Sequence, residues 1–303
     1  MKLLNFGSLN YDYVYRVAHI ALPGETIAST DMQTFAGGKG LNQSIALAKA
    51  GVAVYHAGMV GEEGDGLLSQ CRLSGVNTSY IKKVEGKSGH TIIQVDERAQ
   101  NCIILYGGSN RKITKEFVDG VLAHFEEGDW LLLQNEISEL PYLIERAYAR
   151  GMKIVLNPSP YNGTIDLCDL SKISLFLINE IEGAQITGEE SPEKILDQML
   201  QSYPESAVVL TLGSRGAVYA TKAERYEQGI FMVEAVDTTA AGDTFTGFFL
   251  ASVLAGRSVR DSLRQASKAS AIAVTRDGAA PSIPTLEEVD NTDMTGRELA
   301  FVT

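Results

Sequence analysis

Cysteine is scarce in this chain. Cys71, Cys102 and Cys168 are its three, none in a CxxC spacing, which suits a reducing cytoplasm better than a disulfide framework. The four histidines, His19, His56, His90 and His124, are scattered without metal-ligand spacing, so no histidine-built metal centre is expected. Positive charge is short too. With 26 Lys and Arg against 38 Asp and Glu the net charge is −12, which argues against nucleic acid as a partner. No apolar run reaches 18 residues, so no membrane span is expected. The opening Met1-Lys2-Leu3-Leu4-Asn5-Phe6-Gly7 is too short an apolar stretch for a signal peptide and reads as a first strand. Linker-like, repetitive and low-complexity stretches are also missing, so residues 1–303 are expected to form one domain in the cytoplasm.

Apolar residues are plentiful, at 45%, enough for a large core. Short β-type runs at 3–8, 54–58, 130–134, 153–157, 175–178 and 207–212 alternate with helical patterns. The helical patterns fall at 41–50, 66–73, 115–124, 140–150, 192–201, 244–255 and 260–275. This alternation predicts an α/β chain with a mostly parallel sheet covered on both faces. Ligands of such sheets gather at the carboxyl ends of the strands, where the turns at Asn10, Asn157 and Asn179 fall. Two stretches break the alternation. Residues 13–35 and 89–106 carry short alternating runs, the second reading as a hairpin that turns at Asp96-Glu97-Arg98.

Residues 236–249, Val-Asp-Thr-Thr-Ala-Ala-Gly-Asp-Thr-Phe-Thr-Gly-Phe-Phe, combine capping residues, three residues with almost no side chain, and the start of an apolar helix. Small residues running into a helix start leave several backbone N–H groups aimed one way, which makes an anion site. Asp243 stands in that site. It is either a general base working beside donors that hold charge on a phosphoryl group, or a carboxylate that complements the helix dipole. A second glycine-rich run, residues 36–51, reads Ala-Gly-Gly-Lys-Gly-Leu-Asn-Gln-Ser-Ile-Ala-Leu-Ala-Lys-Ala-Gly. It is not a Walker A loop, because Lys39 is followed by Gly40 and not by Ser or Thr. By itself it reads as a glycine-rich turn before a helix.

Together and in this order, the two runs resemble the paired signatures of the PfkB carbohydrate kinases, and most of all the members that phosphorylate ribose. Further pieces fall in family order: Gly7-Ser8-Leu9-Asn10-Tyr11-Asp12, Pro23-Gly24-Glu25-Thr26, Asn157-Pro158-Ser159-Pro160, Asn179-Glu180, Thr211-Leu212-Gly213-Ser214-Arg215-Gly216 and Ala271-Ile272-Ala273-Val274-Thr275-Arg276. The resemblance implies a ribokinase-like three-layer α/β/α fold with a mostly parallel central sheet. It also implies a small β lid, built from about 13–35 and 89–106, that covers the sugar and serves as a homodimer interface.

The resemblance further implies roles for single residues. Asp243 matches the catalytic base, and the N–H groups of Ala240, Ala241 and Gly242 match the anion hole. Asn10, Asp12, Gly38, Lys39, Asn42 and Glu136 match positions that hold sugar hydroxyls. Read singly, Asp12 and Glu136 are solvated turn carboxylates, and Lys39 is a surface charge. Asn179, Thr211, Gly213, Ser214 and Gly216 match ATP contacts, although 213–216 is also a tight turn between two strands. Glu182, otherwise an exposed helix residue, matches a position that places Mg²⁺ through water. Asp237, Thr239, Ala273, Arg276, Gly278 and Ser282 match a monovalent-cation site built mainly of carbonyl oxygens, so stimulation by K⁺ is expected.

The implied reaction is transfer of the ATP γ-phosphoryl group to a sugar hydroxyl, with ribose the first choice. His90, Thr91 and Gln94 depart from the more apolar lid of ribose-specific members, and with Tyr11 and Tyr13 they keep another pentose, a hexose or a nucleoside open. A non-catalytic sugar-binding protein on this fold would have lost the base or the anion-hole glycine, and both are present. A dinucleotide-dependent oxidoreductase would need Gly-x-Gly-x-x-Gly after the first strand, where Gly7-Ser-Leu-Asn-Tyr-Asp stands instead.

Overall fold

A computed structural model describes residues 1–98 and 100–302. Its strands are β1 (Leu3–Phe6), β2 (Asn10–Arg16), β3 (Asp31–Gly37), β4 (Val54–Val60), β5 (Asn77–Lys83), β6 (Gly89–Val95) and β7 (Asn101–Tyr106), followed by β8 (Trp130–Gln134), β9 (Lys153–Asn157), β10 (Leu175–Asn179), β11 (Ala207–Thr211), β12 (Ala217–Ala220) and β13 (Arg225–Gln228). The helices are α1 (Lys39–Lys49), α2 (Asp65–Leu73), α3 (Lys115–Leu122), α4 (Leu140–Ala149), α5 (Glu180–Thr187), α6 (Pro192–Ser202), α7 (Ala241–Leu254), α8 (Val259–Ala273) and α9 (Leu286–Asn291).

Nine strands form one sheet in the order β13-β12-β11-β10-β9-β8-β1-β4-β5. All neighbours from β11 to β5 are parallel; only β12 and β13 are added antiparallel. The strands are short and apolar on both sides because both sides are covered. Along β10, Leu175 and Leu177 join the core beneath α1, α7 and α8, while Phe176 and Ile178 join the core beneath α3, α4 and α6. Hence the three layers read from the sequence are present, with one core on each face of the sheet.

The chain first winds from β1 outward to β5 and later from β8 outward to β11, so the direction reverses between β1 and β8. Such a reversal opens a crevice at the carboxyl ends of the strands, where ligands of open sheets bind. Out of that end springs a second sheet, ordered β3-β2-β6-β7, with β2 and β6 parallel and the outer pairs antiparallel. The expected spans 13–35 and 89–106 fall in it, residue 99 lying outside the described residues. The sheet begins earlier than expected, at Asn10, and β3 runs on to Gly37.

Helices α1 and α7 lie against each other, and the closeness has a visible cause. A Cβ on Gly247 would sit 2.3 Å from the Cβ of Ala46, so only glycine allows the contact. Among the described residues no helix is long and apolar enough to cross a membrane.

Candidate active site

Helix α1 begins where the glycine run meets the end of β1. Gly38 precedes it with φ +90°, a backbone that side chains resist, and a Cβ on Gly40 would lie 2.4 Å from the Ser8 nitrogen. The close approach lets the Gly40 N–H donate to Ser8 Oγ at 3.2 Å and the Leu41 N–H donate to the Ser8 carbonyl at 2.9 Å. Ser8 Oγ in turn donates to Glu136 Oε2, which also accepts the Lys39 N–H at 2.9 Å. The Glu136 carboxylate, just past β8, is thus pinned to the first turn of α1.

Asp243 sits in the first turn of α7 and is 8% exposed. Its Oδ2 accepts from Asn42 Nδ2 at 3.0 Å, and its Oδ1 accepts from Gln43 Nε2 at 2.8 Å. One turn further along both helices comes the Ala46–Gly247 contact, so the glycine that brings the helices together also brings this carboxylate onto two amides of α1. Asn42 Oδ1 is buried and finds no donor among the described residues. A buried acceptor left unpaired costs free energy until an incoming hydroxyl meets it.

Before α7 stands Ala240 at φ +59°, a left-handed residue without the excuse of glycine. This kink followed by helical residues turns consecutive N–H groups toward one point. Among the described residues, the N–H groups of Ala240, Gly242 and Asp243 meet no acceptor, whereas that of Ala241 donates to the Thr238 carbonyl at 3.2 Å. The free donors of the turn are therefore 240, 242 and 243; two belong to the trio read in the sequence, and Asp243 stands in for Ala241. Helix α7 starts at Ala241 and not at 244.

These donors line a cavity of about 260 Å³ together with Asp243, Lys39, Asn157, Asn179, Glu182, Thr211 and Thr246. Lys39 is the cavity's only cationic wall residue among those described. Burial opposes its charge, but the combined field of Asp243, Glu136 and Glu182 outweighs that and holds the ammonium above the ordinary lysine value. It is no plain surface charge. Glu182 is not the exposed helix residue that its sequence context suggests: it is buried and closes a capping box, its Oε2 taking the Asn179 N–H at 3.1 Å while Asn179 Oδ1 takes the Glu182 N–H at 2.9 Å. The other Glu182 oxygen accepts no hydrogen bond from the described residues. No group of three His, Cys, Asp or Glu that could hold a metal occurs among them. One free carboxylate oxygen fits a hydrated Mg²⁺, which keeps several waters, and not a protein cage.

Asp12 is also no solvated turn carboxylate. Burial, with Glu136 and Asp243 nearby, pushes its carboxyl up to about 6 despite the hydrogen bond that Thr91 Oγ1 donates to Oδ1 at 2.5 Å. Along β2, Asn10 and Asp12 share a face, and across the ladder Thr91 joins it. Buried Asn10 accepts from Asn110 Nδ2 at 2.7 Å. His90 and Gln94 lie on the opposite face. His90 stands between Tyr13 and Tyr106, at 5.7 and 4.9 Å between ring centroids, and Gln94 Oε1 accepts the Ala21 N–H at 2.9 Å. Of the three polar positions noted on this sheet, only Thr91 faces Asp12.

The other residues lie apart. Gly213 and Gly216, with Ser214 between them, form a turn between β11 and β12 that does not line the cavity, although Thr211 just before it does. Asp237 Oδ1 accepts from Thr239 N–H and Oγ1 at 2.8 and 2.6 Å, and its Oδ2 accepts the Gly278 N–H at 3.0 Å. These hydrogen bonds outweigh burial and hold the Asp237 carboxyl below its usual range. Ser282 Oγ donates to the Ala279 carbonyl, Ala273 accepts the Arg276 N–H, and Arg276 pairs with Glu288. The carboxylate and hydroxyl are engaged inside the protein, so a monovalent ion would rely on carbonyl oxygens, which suit it.

The chain matches the model of the pfkB family of carbohydrate kinases over residues 1–286. It belongs to that family. A ribokinase of Staphylococcus aureus (strain COL) is 35% identical over 302 residues, covering 95% of this chain and 98% of that protein. The crystal structure of a ribokinase from Thermotoga maritima superposes with a TM-score of 0.85 at 31% identity, covering 95% and 98% of the two chains. The structure of Arabidopsis thaliana ribokinase complexed with ribose and ATP does so with a TM-score of 0.82 at 30% identity, covering 95% and 97%. Within the family, this chain is a sugar kinase that transfers phosphate to a hydroxyl.

Sequence reasoning passed over several residues of the site. Gln43 touches Asp243 more closely than Asn42 does, Ser8 anchors Glu136, and Asn110 holds Asn10. A signal existed in the strands: Asn5 and Gln134 interrupt runs that are otherwise apolar, and both are fully buried. A polar side chain in a strand covered on both faces has to be hydrogen-bonded.

Proposed function

We propose that the protein is an ATP-dependent ribose kinase making ribose 5-phosphate, with Asp243 as general base. The observation that carries this reading is the placement of Asp243. It lies buried at the mouth of α7, beside free N–H groups and Lys39 on one side and the Asp12–Asn42–Glu136 cluster on the other. Asn10, Asp12, Gly38, Lys39, Asn42 and Glu136 hold the sugar hydroxyls, and ATP lies toward Asn179, Thr211 and the turn at Gly213, Ser214 and Gly216. Asp243 takes the proton of the hydroxyl as the hydroxyl oxygen attacks the γ-phosphorus in line, and the bond from that phosphorus to the bridging oxygen breaks to release ADP. The free N–H groups of Ala240, Gly242 and Asp243, with Lys39, hold the charge on the phosphoryl oxygens. Such a transfer needs mainly positioning and electrostatics.

Glu182 would hold Mg²⁺ through water, and the ion would neutralise phosphate charge. Asp237, Thr239, Ala273, Arg276, Gly278 and Ser282 would hold K⁺, keeping the loop before the anion hole in order. Residues 1–303 form one kinase domain, and the sheet β3-β2-β6-β7 lids the sugar, excludes water from the phosphoryl group and pairs two subunits.

Thr91 beside Asp12 keeps a second reading open, in which the substrate is another pentose, a hexose or a nucleoside. ATP consumption across a sugar and nucleoside panel decides between them, with ribose expected to give the highest kcat/KM. Asp243→Asn should lower kcat by ~10²–10⁴-fold with the fold kept. Near-normal turnover in that variant, or equal rates in K⁺ and in a bulky organic-cation buffer, would defeat the base or the cation assignment respectively.

A further inference from the structure

Behind Asp243 a chain of buried polar groups crosses the core. Gln43 Nε2 donates to Asp243 Oδ1 at 2.8 Å and to Asn157 Oδ1 at 3.0 Å. Gln43 Oε1 accepts from Gln134 Nε2 at 2.6 Å, and the same Gln134 nitrogen donates to Asn5 Oδ1 at 3.0 Å. Asn5 Nδ2 donates to Ser44 Oγ at 2.8 Å and to the Gly40 carbonyl at 2.7 Å. Ser44 Oγ lies 2.8 Å from His56 Nδ1, and His56 Nε2 lies 3.2 Å from the Gly7 carbonyl. Gln43, Gln134, Asn5, Ser44 and His56 are all fully buried.

Each amide in this chain has one permitted orientation. The Gly7 carbonyl only accepts, so His56 Nε2 donates and Nδ1 takes the Ser44 hydroxyl proton. Burial pushes the imidazole down to about 4, so the ring is neutral and has one donor to give. At the other end the Asp243 carboxylate only accepts, so Gln43 must present its NH₂ to it and its carbonyl to Gln134. Gln134 then sends one proton toward each end. Turning any one amide over would set two acceptors or two donors against each other inside the core.

From this geometry we infer that Gln43 is a positioning residue, which fixes Asp243 Oδ1 to the core and leaves Oδ2, on the Asn42 side, as the oxygen that receives the sugar proton. This rests on the reading of Asp243 as the base. The Asn42 amide keeps an unpaired Oδ1 that a sugar hydroxyl can engage, whereas the grip of Gln43 is backed by Gln134 and Asn5 of β8 and β1. A carboxylate held at one oxygen loses rotation about its last bond, which is the freedom that would spoil the attack geometry.

A double-mutant cycle tests it. Gln43→Met keeps the length and bulk of the side chain and removes both donors. Its kcat should fall ~10- to 100-fold, the scale of a hydrogen bond to a charged group, while KM for sugar and ATP stays within about twofold. In the Asp243→Asn background the same change should have no further effect on kcat, since there is no base left to position. Retained kcat in Gln43→Met, or the same fold loss in both backgrounds, overturns the inference and marks Gln43 as merely structural. If Gln43→Met does not fold, Gln43→Leu, which also removes both donors and adds no charge, is put through the same cycle with the same two outcomes. Should Asp243→Asn alone keep its turnover, the base assignment fails, and that result is distinct from either outcome for Gln43.

Discussion

Asp12 is a carboxyl kept where ionisation is disfavoured. Its folded value of about 6 exceeds the ordinary carboxylate value of 3.8, so the native state binds a proton more tightly than the unfolded chain does. Its contribution to stability is therefore fully present below about pH 4, falls as pH rises through about 6, and is gone above. At a cost of about 1.4 kcal/mol per unit, the two-unit difference penalises the folded state by up to about 3 kcal/mol at neutral pH. Asp12→Asn removes the charge and leaves an oxygen for the Thr91 hydroxyl. Thermal unfolding at pH 7.5 should show a higher Tm for the variant, the gain shrinking to nothing near pH 4, while the sugar KM rises. A variant equally or less stable at pH 7.5 would mean that Asp12 is not destabilised by its surroundings. On the proposed reading, stability is thus traded for a group that holds a diol. In the sequence this carboxylate was legible as a motif member only; its environment comes from Thr91, Glu136 and Asp243, three residues on other elements.

Helices α1 and α7 bring Asn42, Gln43 and Asp243 together because they run side by side at close range. Gly247→Ala would place a methyl 2.3 Å from Ala46 Cβ, and each helix is too well packed for either to give way freely. The variant should lose about 1–3 kcal/mol of stability by denaturant titration, and its kcat should fall as well, because a wider spacing loosens Asp243 from Asn42 and Gln43. Unchanged kcat alongside lowered stability would show that the spacing does not set the geometry. Elements with strong apolar patterning, such as β8 and α7, could be placed from the chain alone. Others could not. β5, Asn-Thr-Ser-Tyr-Ile-Lys-Lys, is an outer strand of the large sheet with mixed exposure, and β13 is the opposite edge, so neither needs an apolar run. α5 contains Gly183, which lies against Ile195, and is capped by Asn179 and Glu182 rather than announced by amphipathic spacing. The expected spans also began α1 and α7 two to three residues late, since a glycine run gives no sign of where helical backbone begins.

Over the whole molecule, the second sheet ends in an unusual edge. In β7 the side chains of Ile103, Ile104, Leu105 and Tyr106 are all exposed, and its outer edge pairs with nothing among the described residues. A bare apolar edge strand invites another copy of itself, which agrees with the proposed pairing of subunits through this sheet. Sedimentation velocity should show a dimer that Ile103→Asp with Ile104→Asp converts to monomer; a monomeric wild type, or a variant that stays dimeric, would place subunit contact elsewhere or remove it. The architecture at this scale was the most legible part, because alternating strands and helices leave few ways to bury both faces of a sheet. Of the polar chain running through that core only Asn5 and Gln134 left a trace in the sequence, since which amide meets which depends on side chains brought together by the fold.

The carboxylate at the mouth of α7 is separated by 201 residues from the amide on α1 that grips it. On the reading of Asp243 as the base, a ribosome therefore makes the cradle of Asn10, Asp12 and Asn42 well before the group that would activate the alcohol. On that reading the site has to wait until α7 emerges and docks on α1, which ties turnover of a nucleotide to the joining of two distant parts of the chain.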